Sequence, residues 1–488
     1  MGCRRGELPV LGAVLALALL VGPRVLAQRA DIELVPALSG GDGPGPVTYS
    51  GYQVLRVQVT GTDTAELLRS YENNPGCTAG TAVQPVQPFI IALHFWSESA
   101  VQEGPVDVLV APDVGRRLKE ELTRSGASYT VNIEDVQEAI KRENPSDLLQ
   151  PRLQVRQSLQ QGHPLTWRKY HRLADHHQYL DFVALRYGDL CETFSIGTST
   201  EGRDIKGVKC GRGKREIWID GGIHAREWIS PAVVSYLIRE FSERSPTSND
   251  ILSNFTLYII PVLNPDGYEY SHTHDRMWRK TRSKNADSTC IGVDANRNFD
   301  ISWGKSGTSQ EPCAVTYGGP HPFSEPETRA IRDFVLAHKD KLEMFITLHS
   351  YSELLFVPYA FTIQKPDDYD EVRAVAERGV AALRAASGRE FSIPRTTPYN
   401  QLSGVSDDWA KAVAGVRFTY TFELRDKGAH GFLLPAEEIE PSGREIAAAV
   451  KAMIRALPAP TRQSGDAAEH RETAAPAAGK RAAGRRFY

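Results

Sequence analysis

Four short runs rich in β-branched and aromatic residues set the tightest limit on how this chain can fold: Ile217–Ile219, Leu257–Pro261, Met344–Leu348 and Arg417–Phe422. They are too short for helices and nearly free of charge, so they read as strands of a sheet buried on both faces. Helical patterns such as Pro231–Phe241 and Glu325–Ala337 fill the gaps between them. Alternation of this kind over residues 164–457 predicts an α/β unit, a parallel or mixed sheet with helices on both faces. Such sheets bind ligands at the carboxyl ends of their strands. The residues just past the four runs are therefore the first place to look for chemistry.

At 488 residues the chain has room for a second folded unit. One is legible upstream. Val54, Val57 and Val59 alternate with polar neighbours, a helical pattern covers Asp63–Tyr71, and strands follow at Phe89–Trp96 and Val106–Val110. Pro112 opens a helix with Val114, Leu118 and Leu122 on one face. A strand at Ser128–Val131 and a short helix at Ile133–Ile140 complete a β-α-β-β-α-β order, which predicts a ferredoxin-like α+β layer over residues 49–142. Asn73–Gln87 reads as an inserted loop. Residues 143–163 form a polar connector, and Lys141, Arg142, Arg152 and Arg156 in and beside it offer cutting sites to a trypsin-like protease. Residues 458–488 are dominated by Ala, Pro, Gly and charge and are expected to build no core.

At the other end, Arg4 and Arg5 precede an apolar run from Leu8 to Val21, with Val25 and Ala27 placed for a cut after Ala27. This predicts a signal peptide over residues 1–27 and a secreted, extracellular product. The run is about fourteen residues, short of the ~20 that span a bilayer. A Gly/Pro-rich linker over residues 28–48 follows. Export suits the six cysteines. Cys3 leaves with the signal. Cys191 and Cys210 flank two extended runs around Glu201-Gly202, and a hairpin that pairs residue 197 with 204 also sets Cys191 opposite Cys210. Cys290 and Cys313 enclose a polar loop and can clip it, which leaves Cys77 over. Asn254-Phe255-Thr256 is a glycosylation sequon. A formal charge of −3 gives no ground for nucleic acid or an anionic membrane as partner.

The first buried run leads into Gly221-Gly222-Ile223-His224-Ala225-Arg226-Glu227-Trp228. His224 and Glu227 lie three apart where a strand end turns into a helix, so both side chains can meet at one point. An imidazole and a carboxylate are good zinc ligands. His349, at the end of another run, is the candidate third ligand. Two histidines and one glutamate leave a position open for water, the mark of a catalytic zinc. Thirteen histidines make chance pairs common, and His176 and His177 read as solvated surface.

Around this core lie His224-Ala-Arg-Glu-Trp228, Asn264-Pro-Asp-Gly267, Arg276-Met-Trp-Arg-Lys-Thr-Arg-Ser283, Gly292-Val-Asp-Ala-Asn-Arg-Asn298, His349-Ser-Tyr351 and Phe422-Glu-Leu-Arg-Asp426. In order and spacing, over about 400 residues, this set resembles the zinc carboxypeptidases of the pancreatic A/B type, and the upstream unit resembles their propeptide. The resemblance implies a mixed eight-stranded sheet flanked by helices, with one Zn2+ per chain on His224, Glu227 and His349. It also implies that Asp294 orients a ligand histidine, that Glu423 is the general base and acid, and that Arg279 polarises the scissile carbonyl. Asn296 and Arg297 would receive the substrate's free C-terminal carboxylate, Tyr399 would close over it, and Arg226 and Tyr351 would bind the chain further out. The expected partners are peptides and proteins with a free C-terminus and an activating trypsin-like protease, and the expected state is a monomer.

Asp407, two positions before Trp409, stands where the family sets side-chain preference, and a carboxylate there implies C-terminal Lys or Arg. Relative to family spacing there is one extra residue between Tyr399 and Trp409, and another between Trp409 and Glu423. An A-type pocket for apolar residues stays open as the alternative. The run Gly428-Ala429-His430-Gly431 also lacks the customary aromatic residue. An inactive homologue that only binds C-termini would have lost the base or a ligand, and this sequence keeps both.

Overall fold

The computed structural model describes residues 45–72, 93–96, 104–145, 162–243, 250–394 and 401–459. The expected signal and inserted loop, Cys77, Arg152, Arg156, Tyr399 and residues 460–488 lie outside them. The described residues belong to one compact unit that begins at Gly45.

The first lobe runs β1 (Gln53–Val59), α1 (Thr62–Glu72), β2 (Leu93–Phe95), β3 (Gly104–Val110), α2 (Pro112–Ser125), β4 (Tyr129–Ile133) and α3 (Val136–Glu143). Its four strands pair antiparallel in the order β2-β3-β1-β4. Leu55, Val57 and Val59 of β1 pack with Leu118 and Leu122 of α2 in one core. Pro112 starts α2, and the Asp135 side chain caps α3 by accepting from the Glu138 N–H at 3.0 Å. α3 runs on to Glu143, and Lys141 and Arg142 are exposed residues of its last turn.

The second lobe comprises α4 (Leu173–Arg186), β5 (Cys191–Thr198), β6 (Asp204–Gly211), β7 (Arg215–Gly221), α5 (Ile229–Ser242), α6 (Asp250–Asn254), β8 (Phe255–Ile260), α7 (Pro265–Thr273), α8 (Pro326–His338), β9 (Leu342–His349), β10 (Leu354–Phe356), α9 (Tyr369–Ser387), α10 (Ser406–Ala412), β11 (Phe418–Glu423) and α11 (Ile439–Arg455). Its mixed sheet has the order β10-β11-β9-β7-β8-β6-β5, with β11, β9, β7 and β8 parallel. Among the described residues this sheet has seven strands, where eight were expected. Beside β10, Ser392 forms a bridge to Leu354, and Pro394, which has no N–H, does not extend it within the described residues.

Alternation along the central strands divides the core. Ile217, Ile219, Met344, Ile346, Leu348, Phe418, Tyr420 and Phe422 face α4, α5, α9 and α11. Trp218 and Phe345 face the other way, with Trp409 of α10 and Ile331 of α8. The polar members of the same strands, Asp220, Thr347, His349, Thr421 and Glu423, share this second face.

The disulfides Cys191–Cys210 and Cys290–Cys313 are both formed. Cys191 is registered opposite Cys210 as expected, but Asp204 faces Thr198 rather than residue 197, because a bulge between Ser195 and Thr198 adds one residue nearer the turn. His176 is buried rather than solvated: it lies in the stripe of Leu173, Leu180 and Val183, and its Nδ1 sits 2.8 Å from Ser235 Oγ on α5. Burial brings its pKa down to about 3. Asn254 is exposed at the end of α6, while Thr256 is buried in β8.

Candidate metal centre and substrate cleft

After β7 the chain turns back on itself at Gly222. Its φ is +66°, and a Cβ there would meet Pro231 Cγ at 2.9 Å and Pro261 O at 3.1 Å. The turn sets His224 over the sheet and brings Glu227 round beside it. His349 reaches the same point from the end of β9. The three are buried, and one ligand atom from each lies within 4.8 Å of the others. His224 Nδ1 is 2.8 Å from Glu227 Oε1 and 3.1 Å from His349 Nδ1, and Glu227 Oε2 is 3.3 Å from His349 Nδ1.

Asp294 Oδ1 lies 3.0 Å from His224 Nε2 and accepts its proton, which directs the lone pair of Nδ1 into the cluster. Two ring nitrogens and a carboxylate with lone pairs converging in a buried space fit a tetrahedral zinc ion with one open position. Burial would raise the Glu227 carboxyl, but the charge and hydrogen bonds of His224, then of His349, hold it well below the usual carboxylate range. Asp294 is likewise kept ionised against burial, by Arg279 and then by His224 and Arg297.

Among the described residues, Arg279 and Glu423 lie beside this centre. Arg279 Nε donates to Asp294 Oδ2 at 3.0 Å, and its Nη1 stands 3.7 Å from Glu227 Oε1. Glu423 pairs in register with His349 across β11 and β9 and is buried. It does not pair with its neighbour Arg425, which turns inward to Glu445 and Glu438. Asn296 and Arg297 follow Asp294 in a turn closed by Arg297 N donating to Asp294 O at 2.9 Å. The Arg297 guanidinium donates to Gly307 O and Asn296 O. Asn296 Oδ1 accepts from Ser406 N at 2.9 Å, which ties this turn to the start of α10, one residue before Asp407. Asp407 is buried at the start of α10, which packs over the polar face of the sheet; burial raises its pKa, and the nearby Thr421 hydroxyl opposes this by favouring the ionised form. Its neighbour Asp408 accepts from Ala360 N and Phe361 N, so the two acids point to different tasks.

The described backbone on either side of Trp409 is held by hydrogen bonds. Upstream, Ser403 N donates to Ser306 O and Gly404 N to Ile301 O. Downstream, a turn is closed by Ala414 N to Trp409 O.

Arg226 and Tyr351 are buried under the first lobe. Arg226 Nη1 is 3.1 Å from His94 Nε2, and its guanidinium lies 4.0 Å over the Phe432 ring. Tyr351 OH donates to Asp107 Oδ2 at 2.7 Å, and Asp107 also holds Arg56. Trp96, Tyr49 and Leu109 pack with Met277, Tyr351 and Phe432 in one core shared by the lobes. At the far end Glu143 is buried against Arg276, whose Nε donates to it at 2.8 Å.

The run without the customary aromatic residue has a different anchor. The Asp426 carboxylate accepts from Gly428 N, His430 N and Gly431 N, and His430 Nδ1 lies 2.9 Å from it. Gly428, at φ +96°, lets Arg56 and Asp107 approach so closely that a Cβ would clash with both.

Sequence reading passed over Asp220, Thr347, Thr421, Asp107 and His94. Polar residues at every second position of otherwise apolar strands, as in Thr419-Tyr-Thr421-Phe-Glu423, were the available signal for the sheet members. His94 and Asp107 carried none, because their importance lies in what docks on them.

A family model described as zinc carboxypeptidase matches residues 176–449, and one described as carboxypeptidase activation peptide matches residues 87–143. Carboxypeptidase B of Astacus astacus is 44% identical over 292 residues, which cover 59% of this chain and 96% of that one. Carboxypeptidase A2 of Mus musculus is 37% identical over 370 residues, covering 75% and 87%. Among solved structures, thrombin activatable fibrinolysis inhibitor aligns with a TM-score of 0.72 at 30% identity, covering 83% of this chain and 98% of that one. Carboxypeptidase A from Helicoverpa armigera aligns at 0.70 and 26%, covering 84% and 98%. A buried N,N,O metal cluster at the carboxyl end of a mixed sheet, capped by a docked four-stranded lobe, is what these relationships lead one to expect, and the chain belongs to the zinc carboxypeptidase family, as the zymogen of an A/B-type metallocarboxypeptidase.

Proposed function

We propose that the activated enzyme removes C-terminal Lys or Arg from peptides and proteins. One observation carries this reading. The buried Asp407 carboxylate lies on α10, which packs over the polar face of the sheet, and the Thr421 hydroxyl nearby favours its ionised form. Burial raises its pKa, so an incoming ammonium or guanidinium gains most by ionising it, whereas an apolar side chain would leave a desolvated acid without a counter-charge.

In this reading His224, Glu227 and His349 hold the zinc ion and Asp294 fixes the His224 ring. When bound, the ion supplies a Lewis acid and lowers the pKa of its water towards ~7. Glu423 takes the proton of the attacking water and returns it to the leaving amine. Arg279 presents a fixed positive charge to the carbonyl oxygen as it gains charge. Asn296 and Arg297 receive the terminal carboxylate, Tyr399 closes over it, and the peptide upstream lies along Arg226 and Tyr351. The protein is secreted as a monomer after loss of residues 1–27, and a trypsin-like protease cuts in the connector to release the first lobe. No described helix is long and apolar enough to cross a membrane.

The test treats purified zymogen with trypsin and offers peptides ending in Lys, Arg, Phe or Leu, with and without a chelator. Release of Lys and Arg, abolished by chelation, is expected. Preferential release of Phe or Leu would reject the pocket assignment, and activity indifferent to chelator would reject the metal mechanism.

A further inference from the structure

The run Asn264-Pro265-Asp266-Gly267 has no part in the chemistry above, yet Asn264 is 0% exposed and lies between the ligand turn and the segment that carries Arg279. Asn264 stands where the chain has left β8 and enters α7. Its backbone N donates to Gly222 O at 3.1 Å, and Leu263 N donates to Gly221 O at 3.0 Å, so this segment runs beside the turn that sets His224. The side chain is fully used. Its Oδ1 accepts from Gly267 N at 2.9 Å, which caps the first turn of α7. Its Nδ2 donates to Ile223 O at 3.2 Å and to Lys280 O at 3.0 Å. The partners dictate which way the amide faces, since Gly267 N can only donate and both carbonyls can only accept. Ile223 precedes the metal ligand His224, and Lys280 follows Arg279. One amide therefore ties the backbone of the ligand turn to that of Arg279. A second tie, Ala225 N to Arg279 O at 3.1 Å, lies alongside. The two side chains meet as well, at Asp294, which accepts from His224 Nε2 and from Arg279 Nε, each at 3.0 Å. His224 and Arg279 are thus joined twice, by a carboxylate between their side chains and by an amide between their backbones. Gly267 makes room for that amide: a Cβ there would stand 2.5 Å from both Asn264 Nδ2 and Lys280 O.

We infer that Asn264 is a positioning residue of the reaction, which holds Arg279 in register with the metal ligand His224. The inference rests on the proposed role of Arg279 in polarising the scissile carbonyl. A guanidinium stabilises a developing oxyanion only from a fixed place, and a misplacement of about 1 Å can cost about a hundredfold in rate. The two bonds from one buried amide fix the backbone from which the long Arg279 side chain reaches out. All of the Asn264 amide is spent on backbone groups, so it acts only through what it holds.

The experiment compares wild type, Asn264→Ser, Arg279→Ala and the double variant after activation with trypsin. The substrate is the peptide that wild type cleaves fastest, and zinc content is measured in each. Serine keeps an oxygen that can cap α7 but is too short to reach the two carbonyls. For Asn264→Ser, kcat is expected to fall about tenfold to a hundredfold, with KM within about threefold and zinc retained. In the Arg279→Ala background the same substitution should change kcat by less than about twofold, because no guanidinium is left to place. A merely structural role would lower kcat by the same factor in both backgrounds or act through loss of zinc, and either outcome overturns the inference. An Arg279→Ala variant with wild-type kcat defeats the underlying role of Arg279. A slow Arg279→Ala beside an Asn264→Ser of wild-type kcat defeats this inference alone. If Asn264→Ser does not fold, Gly267→Ala, which keeps the amide and crowds it away from Lys280, carries the same cycle. A zymogen that folds with neither substitution makes the amide structural and overturns the proposal.

Discussion

Lowering the pH by two units should loosen the first lobe about tenfold through one histidine. His94 docks as a neutral ring, since it stands 3.1 Å from the Arg226 guanidinium, is 5% exposed, and can only accept from that donor. Burial pushes its pKa well below the ordinary value, and Arg226 and Arg279 push it further. Released into water, the same ring returns to about 6.5. Below that pH the free lobe binds a proton that the docked lobe does not, so docking is at full strength above about pH 6.5 and weakens as the pH falls, by about 1.4 kcal/mol per unit. Between pH 7.5 and 5.5 this amounts to about a tenfold rise in the dissociation constant. Glu143 works in the opposite sense, because burial raises its carboxyl and acid therefore favours its docking. The assay is the dissociation constant of the trypsin-nicked, non-covalent complex, measured by calorimetry so that it is independent of the pH dependence of catalysis. His94→Gln, which can accept from Arg226 but cannot titrate, is the control. If the glutamine variant keeps the full acid sensitivity, or wild type changes less than twofold, the reasoning is refuted.

Glu143→Ala would leave the Arg276 charge buried without its carboxylate, which typically costs about 3–5 kcal/mol. The nicked complex should then fall apart hundreds of times more readily, and release kinetics would reveal it. Glu423→Gln should lower kcat by about 10²–10⁴ with zinc content unchanged; a variant above a tenth of wild-type kcat would remove Glu423 from the proposed role. Chelation should abolish activity and lower the melting temperature of wild type, both restored by added zinc, while His349→Ala should show neither response because it holds no ion to lose.

Local pattern was enough to place the four central strands and the helices between them, because buried strands and helix faces carry their period in the sequence. The Cys191–Cys210 pairing was legible for the same reason: a hairpin register is arithmetic. What lay beyond local pattern failed in specific ways. His176 looks like a surface histidine until α5 packs on α4 and encloses it against Ser235. Among the described residues the expected eighth strand is represented by the bridge at Ser392, since Pro394 withholds the next donor.

The amino-acid order alone determined which residues could hold a metal and that a smaller unit precedes the larger one, since both follow from residue type and spacing. Which groups share a space was decided only by the folded chain. Asp220, Thr347 and Thr421 fall in register across three strands that are far apart in sequence. His94 meets Arg226 across 132 residues, and Glu143 meets Arg276 across 133. Charge and desolvation act through space, so the acidity of a buried group and the strength of a docked lobe arise only once the neighbours have been brought together.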